Sequence, residues 1–135
     1  MIDSLLARLA EIAETEFADV VITSEINMGK LRLYINDESF LEVWFSKRLE
    51  GRYAYHWERR HVDDTIYRWD NAKHEVWKNV KTFPYHFHDG KDEKVSESSL
   101  PEAPDDALRY TLIFVRKFLY KNEIDRSMRD NKSAL

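Results

Sequence analysis

The sequence predicts an α+β fold: an antiparallel β-sheet meander flanked by an N-terminal and a C-terminal α-helix. Apolar residues recur at helical spacing at both ends of the chain, at Ile2, Leu5, Leu6, Leu9, Ile12 and Ala13 and again at Leu108, Leu112, Val115 and Leu119. Between them the period drops to two, as in Leu31, Leu33 and Ile35. The connections are short, which favours antiparallel pairing of successive strands.

Taken in order, residues 1–17 read as an amphipathic helix with one face to bury. Residues 19–90 read as the sheet. Within it, "NDES" at 36–39 supplies turn chemistry before "FLEVWFSKR", whose two apolar faces suit a central strand. "RYAYHWERR" then places Tyr53, Tyr55 and Trp57 on one face and Ala54, His56 and Glu58 on the other, and "TIYRWD" continues the meander after the turn-like "HVDD". "SSLPEAPDD" is loop chemistry in which Pro104, Asp105 and Asp106 resemble a helix start, with acids at the positive end of the dipole. A helix over 103–121 follows, and the polar tail 122–135 either extends it or frays.

Composition narrows the classes of function. A chain of 135 residues with 43% hydrophobic and 13% aromatic residues fits one packed domain, 1–135. The absence of cysteine excludes disulfides, thiolate metal sites and cysteine nucleophiles. Asp3 in the opening segment, with no basic leader, does not read as a secretory signal, and no apolar run approaches the roughly 18 residues of a spanning helix. A cytoplasmic protein with no membrane partner is the expectation. The net charge of -4 is uneven: residues 1–46 hold three basic and nine acidic side chains, whereas residues 47–81 hold nine and six. That balance speaks against broad coating of nucleic acid and leaves room for a small basic site on one strand or one phosphate.

Chemistry has to come from the five histidines and their charged neighbours. In "TFPYHFHDG", His86 and His88 share one strand face; His56 shares one with Glu58, and Arg68 with Ile66 and Asp70. Two histidines titrating near neutrality can take a proton from a nucleophile and return one to a leaving group, while an arginine stabilises charge building on a phosphate. His56, Arg68, His86 and His88 therefore form a candidate catalytic set for cleaving RNA with its own 2′-hydroxyl as nucleophile, without metal or cofactor. Tyr55, Asp70, Asn71 and His74 are candidate substrate-binding residues beside them. His56, His74, His86 and His88 with Asp70 offer enough donors for a metal, but their spacing matches no recognised metal signature, so no ligand is assigned. Tyr53, Tyr55, Trp57, Trp69 and Trp77 are candidate stacking platforms for bases, although aromatics at alternate strand positions are more often core. A metal-dependent nuclease and a non-catalytic module docking a protein on this face are the alternatives.

Four ordered motifs carry a resemblance. They are Tyr53, Tyr55 and His56; Arg68, Trp69, Asp70, Asn71, Ala72 and His74; Thr82, Phe83, Pro84, His86, His88 and Gly90; and Ser98 with Pro101 before the last helix. Together they resemble the TumE-like family of small prokaryotic toxins, over roughly residues 30–120. The resemblance implies a sheet with flanking helices, a toxin of a toxin-antitoxin pair, and a helix-turn-helix antitoxin as partner. Relatives often carry further histidines where this chain has Glu75 and Tyr85, a departure that weakens a many-histidine metal site.

Overall fold

A computed structural model describes residues 1–133, with side chains described through residue 131. Helix α1 (Ile2–Glu16) leads into seven strands: β1 (Val21–Asn27), β2 (Lys30–Ile35), β3 (Phe40–Phe45), β4 (Tyr53–Arg59), β5 (Thr65–Asp70), β6 (His86–Gly90) and β7 (Val95–Glu97). One turn of helix, α2 (Arg60–Asp63), joins β4 to β5, and α3 (Pro104–Ser133) ends the chain. The strands lie in sequence order in one sheet, every neighbouring pair antiparallel. The structure is thus the α+β meander with a helix at each end that the two periodicities predict.

Alternation along the central strands sorts the side chains. Leu31, Leu33, Leu41, Val43, Tyr55, Trp57 and Trp69 point to the face covered by α1 and α3, where they meet Leu6, Leu9, Ala13, Leu108, Leu112 and Val115. Each fully buried large side chain contributes roughly 1.5–3 kcal/mol by leaving water. The helices are tied to one another at the rim by Arg8–Asp105 at 3.0 Å and Arg109–Glu16 at 2.9 Å, and Arg116 of α3 reaches Asp19 at 2.7 Å.

Two features lie outside the sequence reading, and a third decides between alternatives it left open. The sheet continues past residue 90 into β7, three residues of which one is apolar, too short and polar for periodicity to show. The β1–β2 hairpin turns on Met28 and Gly29, both at positive φ (52° and 77°), so a methionine takes a place where asparagine or aspartate would have signalled the turn. Helix α3 continues through the polar tail to Ser133, and residues 121–131 are exposed all round. The many charged helix formers and the absence of glycine or proline there let the helix run on without a core to bury. The helix is not apolar enough to cross a membrane, nor is any other among the described residues.

Candidate functional site

The face of β4–β6 that turns away from the helices carries the even-numbered residues, among them the polar His56, Glu58, Arg68, Asp70, His86 and His88. Strand register sets His56 opposite Arg68, Arg68 opposite His88, and Asp70 opposite His86. Directly opposed side chains in an antiparallel ladder stand about 5 Å apart at Cβ, so His56, Arg68 and His88 form one row across three strands. Asp70 and His86 sit beside that row.

Asp70 is the hub. It is 5% exposed, with His86 at 0% and His88 at 7%. Its carboxylate takes a hydrogen bond from Arg68 Nε at 2.8 Å and one from the backbone N–H of Ala72 at 3.0 Å. His86 Nε2 lies 2.9 Å from Oδ1, and His88 Nε2 lies 3.5 Å from Oδ2. Burial would raise the Asp70 pKa, but the hydrogen bond with His88, the Ala72 N–H and the charges of His86 and Arg68 outweigh it and hold the carboxyl at about 2. For His88, burial opposes the proton, and Asp70 together with the Asp92 carbonyl overcomes it, so the pKa is raised.

The far nitrogens of both rings are fixed by backbone. His86 Nδ1 meets the Pro84 carbonyl at 2.8 Å, and His88 Nδ1 meets the Asp92 carbonyl at 2.8 Å. A carbonyl only accepts, so each Nδ1 carries the hydrogen and each Nε2 is aimed at Asp70. The two rings stand edge to face at 5.0 Å, and Trp77 of the 71–85 segment brings its own ring to 6.4 Å from His88. Loops rather than helices thus enclose this side of the sheet.

His56 forms a second unit. Its Nε2 is 3.1 Å from Glu58 Oε1, while Nδ1 is buried without a hydrogen-bond partner. Burial lowers its pKa, Glu58 partly offsets this, and the nearby Arg68 lowers it further. Arg68 is the most exposed member of the row, with 39% of its side chain accessible against 19% for His56 and 10% for His88.

The structure therefore brings together His56, Arg68, Asp70, His86 and His88. It does not bring the other sequence candidates to them. Tyr55, next in sequence to His56, points the opposite way and is 1% exposed among core rings, edge-on to Phe45 and Tyr53. Asn71 accepts from the Tyr53 N–H and donates to the Gly51 carbonyl, which pins the start of β4. His74 is exposed at the start of the 3-10 turn Glu75–Trp77, and no described contact joins it to the cluster. Of the proposed base-stacking rings, Trp57 and Trp69 are buried under α3, where Phe114 stands 6.2 Å from Trp57 and 5.1 Å from Trp69. The residue that sequence reasoning leaves out is Glu58: its i+2 spacing to His56 was visible, its role as that ring's carboxylate partner was not.

A seven-stranded meander with helices on one face and a buried histidine–carboxylate cluster on the other defines a small α+β protein with a polar site on the sheet face that the helices leave to the loops. The family model described as Toxin TumE matches residues 2–119, and the chain belongs to that family. No curated protein and no solved structure matches it.

Proposed function

We propose that this toxin cleaves RNA, with His56 as the base and Arg68 as the phosphate contact, and that a separate helix-turn-helix antitoxin restrains it. The observation that supports this reading is the Glu58–His56 pair: a carboxylate fixes Nε2, and Nδ1 is left without a partner one strand away from an exposed arginine. A neutral imidazole oriented by a carboxylate is the arrangement a general base requires. Burial keeps His56 neutral by lowering its pKa. Because Nδ1 is covered, the nucleophile reaches it only when a neighbouring side chain yields, and a phosphate would draw the Arg68 guanidinium outward.

In the reaction the RNA 2′-hydroxyl gives its proton to His56, its oxygen bonds to phosphorus, and the bond to the 5′-oxygen breaks. The 5′-oxygen leaves with a proton from water, giving a 2′,3′-cyclic phosphate and a 5′-hydroxyl. Arg68 and the cationic edge of the Asp70 cluster offset charge on the phosphoryl oxygens. His88, with Nδ1 on the Asp92 carbonyl and Nε2 facing Asp70, and His86, held at Nδ1 by the Pro84 carbonyl, serve here to set that charge rather than to shuttle protons.

The test pairs growth and chemistry. Induced expression should arrest growth, and co-expression of a neighbouring helix-turn-helix protein should relieve the arrest. His56→Ala and Arg68→Ala should each lower the rate of RNA cleavage by about 100-fold or more. A 2′-deoxy substitution at the cut site should block cleavage. Arrest by both variants at wild-type level would turn the reading towards a docking surface, and cleavage of the 2′-deoxy strand would exclude the internal nucleophile.

A further inference from the structure

We infer that Asp70, His86 and His88 form a binding site for one divalent first-row transition-metal ion. The starting point is an orphan. His86 Nε2 is wholly buried and has no hydrogen-bond partner, although Asp70 Oδ1 is only 2.9 Å away. The separation is right for a hydrogen bond and the angle is not. With Nδ1 donating to the Pro84 carbonyl, Nε2 is the ring nitrogen left for a ligand, and when it carries no hydrogen its lone pair faces a carboxylate that also offers lone pairs. Two donors that face one point and do not bond each other call for a cation between them.

The third donor is in place. His88 Nε2 lies 3.5 Å from Asp70 Oδ2, and one atom from each of the three residues falls within 4.8 Å of the others. Ligand atoms about 2.1 Å from an ion stand about 3.0 Å apart at a right angle and about 3.4 Å at a tetrahedral angle. The 2.9 Å from His86 to Oδ1 and the 3.5 Å from His88 to Oδ2 lie near these values, each ring facing a different oxygen of the one carboxylate. Both rings already have the outer hydrogen bond that metal-binding histidines make, Nδ1–H to a backbone carbonyl. The Arg68 Nε and Ala72 N–H bonds orient the carboxylate in the same way.

Donor chemistry selects the ion. Two imidazoles and one carboxylate suit zinc, iron, cobalt, nickel or manganese and fit poorly with magnesium or calcium, which take oxygen donors. Three protein ligands leave coordination positions free, as catalytic sites do and structural zinc sites do not. The solvent-reaching neighbour of the site is Arg68. An ion here deepens the ribonuclease reading, on which its catalytic role rests: it would supply positive charge beside the scissile phosphate and make cleavage sensitive to chelators, in place of the metal-free scheme expected from the sequence. Binding itself does not depend on that reading.

The experiment is calorimetric titration of chelator-stripped, full-length protein with Zn2+, repeated with Co2+ while visible absorption is recorded. One equivalent should bind, and cobalt should give d–d bands that Zn2+ abolishes. His86→Gln and His88→Gln should each weaken binding at least 10-fold. His74→Ala, which alters an exposed histidine outside the cluster, should leave it unchanged. If the His86 variant fails to fold by circular dichroism, the wild type still decides: Co2+ should broaden the His86 and His88 ring signals and the Ala72 amide signal before others. No uptake by the wild type, or uptake by both cluster variants as tight as that of the wild type, overturns the inference. Metal uptake without RNA cleavage would uphold the site and refute the ribonuclease; cleavage undiminished by chelator would uphold the ribonuclease and refute a catalytic role for the ion.

Discussion

Replacing Arg59 with methionine should cost about 3 kcal/mol of stability, an unusually large effect for a residue at the end of a strand. Arg59 is 2% exposed and holds two acids at once. Nη1 donates to Asp37, while Nε and Nη2 reach Asp63 Oδ2 at 3.2 and 3.1 Å. Its guanidinium also lies 4.6 Å from the rings of Trp57 and Phe118, and so joins the sheet to α3. Methionine keeps the apolar stem, so little volume is lost. Breaking a buried pair costs about 3–5 kcal/mol. Asp37 retains 21% and Asp63 34% of its side-chain exposure, which reduces that figure to about 2 kcal/mol, and loss of the two ring contacts adds about 1 kcal/mol. With a urea m-value of about 1.5 kcal/mol/M, the midpoint should fall by about 2 M. The loss should also depend on pH. Burial opposes the Asp37 charge, but hydrogen bonds from Ser39 and Arg59 outweigh it and lower the pKa. A depressed carboxyl stabilises the fold above its unfolded value near 3.8 and loses that contribution as pH falls through the folded value. The gap between wild type and variant should therefore narrow below about pH 4. A cost under about 1 kcal/mol at pH 7, or a gap unchanged at pH 3, would refute the reasoning.

Three further outcomes follow from particular residues. Met28→Asn should raise the melting temperature by a few degrees, because Met28 is 92% exposed at φ 52° and loses no packing; an unchanged or lower value would mean the turn is not under strain. The pH profile of RNA cleavage should keep its plateau below pH 6.5, since the base acts deprotonated and the His56 pKa is lowered from that value; an acid limb centred above 6.5 would exclude His56 as the base. Truncation after Lys121 should leave urea stability within about 0.5 kcal/mol, because every residue from 121 to 131 is exposed; a larger loss would show that the extension of α3 is part of the folded unit.

Parity explains which parts of the site the sequence shows. In an extended strand, residues two apart share a face, so His86 with His88 and Arg68 with Asp70 can be paired on sight. The same rule sets Tyr55 against His56, and a family motif that contains both residues says nothing of that split. Alignment across strands is less legible. His56 opposite Arg68 and Asp70 opposite His86 depend on register, which the loops fix, and the 71–85 segment has too little pattern to reveal where β6 begins. The Pro84 and Asp92 carbonyls that orient the histidines cannot be read at all, since any residue type supplies a carbonyl. The fold is more legible because burial of one face repeats the same signal strand after strand, whereas the site is made once.

The aromatic core and the polar site are two sides of the same strands. Trp69 lies between Arg68 and Asp70, and Phe87 lies between His86 and His88; on the helix face these two rings stack at 4.8 Å, with Phe114 of α3 5.1 Å from Trp69 and 5.8 Å from Phe87. Each ring anchors the backbone from which the two flanking polar side chains project the other way. Donor atoms that must hold within about 0.5 Å of a working geometry are therefore positioned by packing they never touch. Substituting Phe87 by alanine removes one of those anchors without altering any donor. Metal affinity and cleavage should then fall together with stability, whereas Arg68→Ala should reduce cleavage and leave the fold intact.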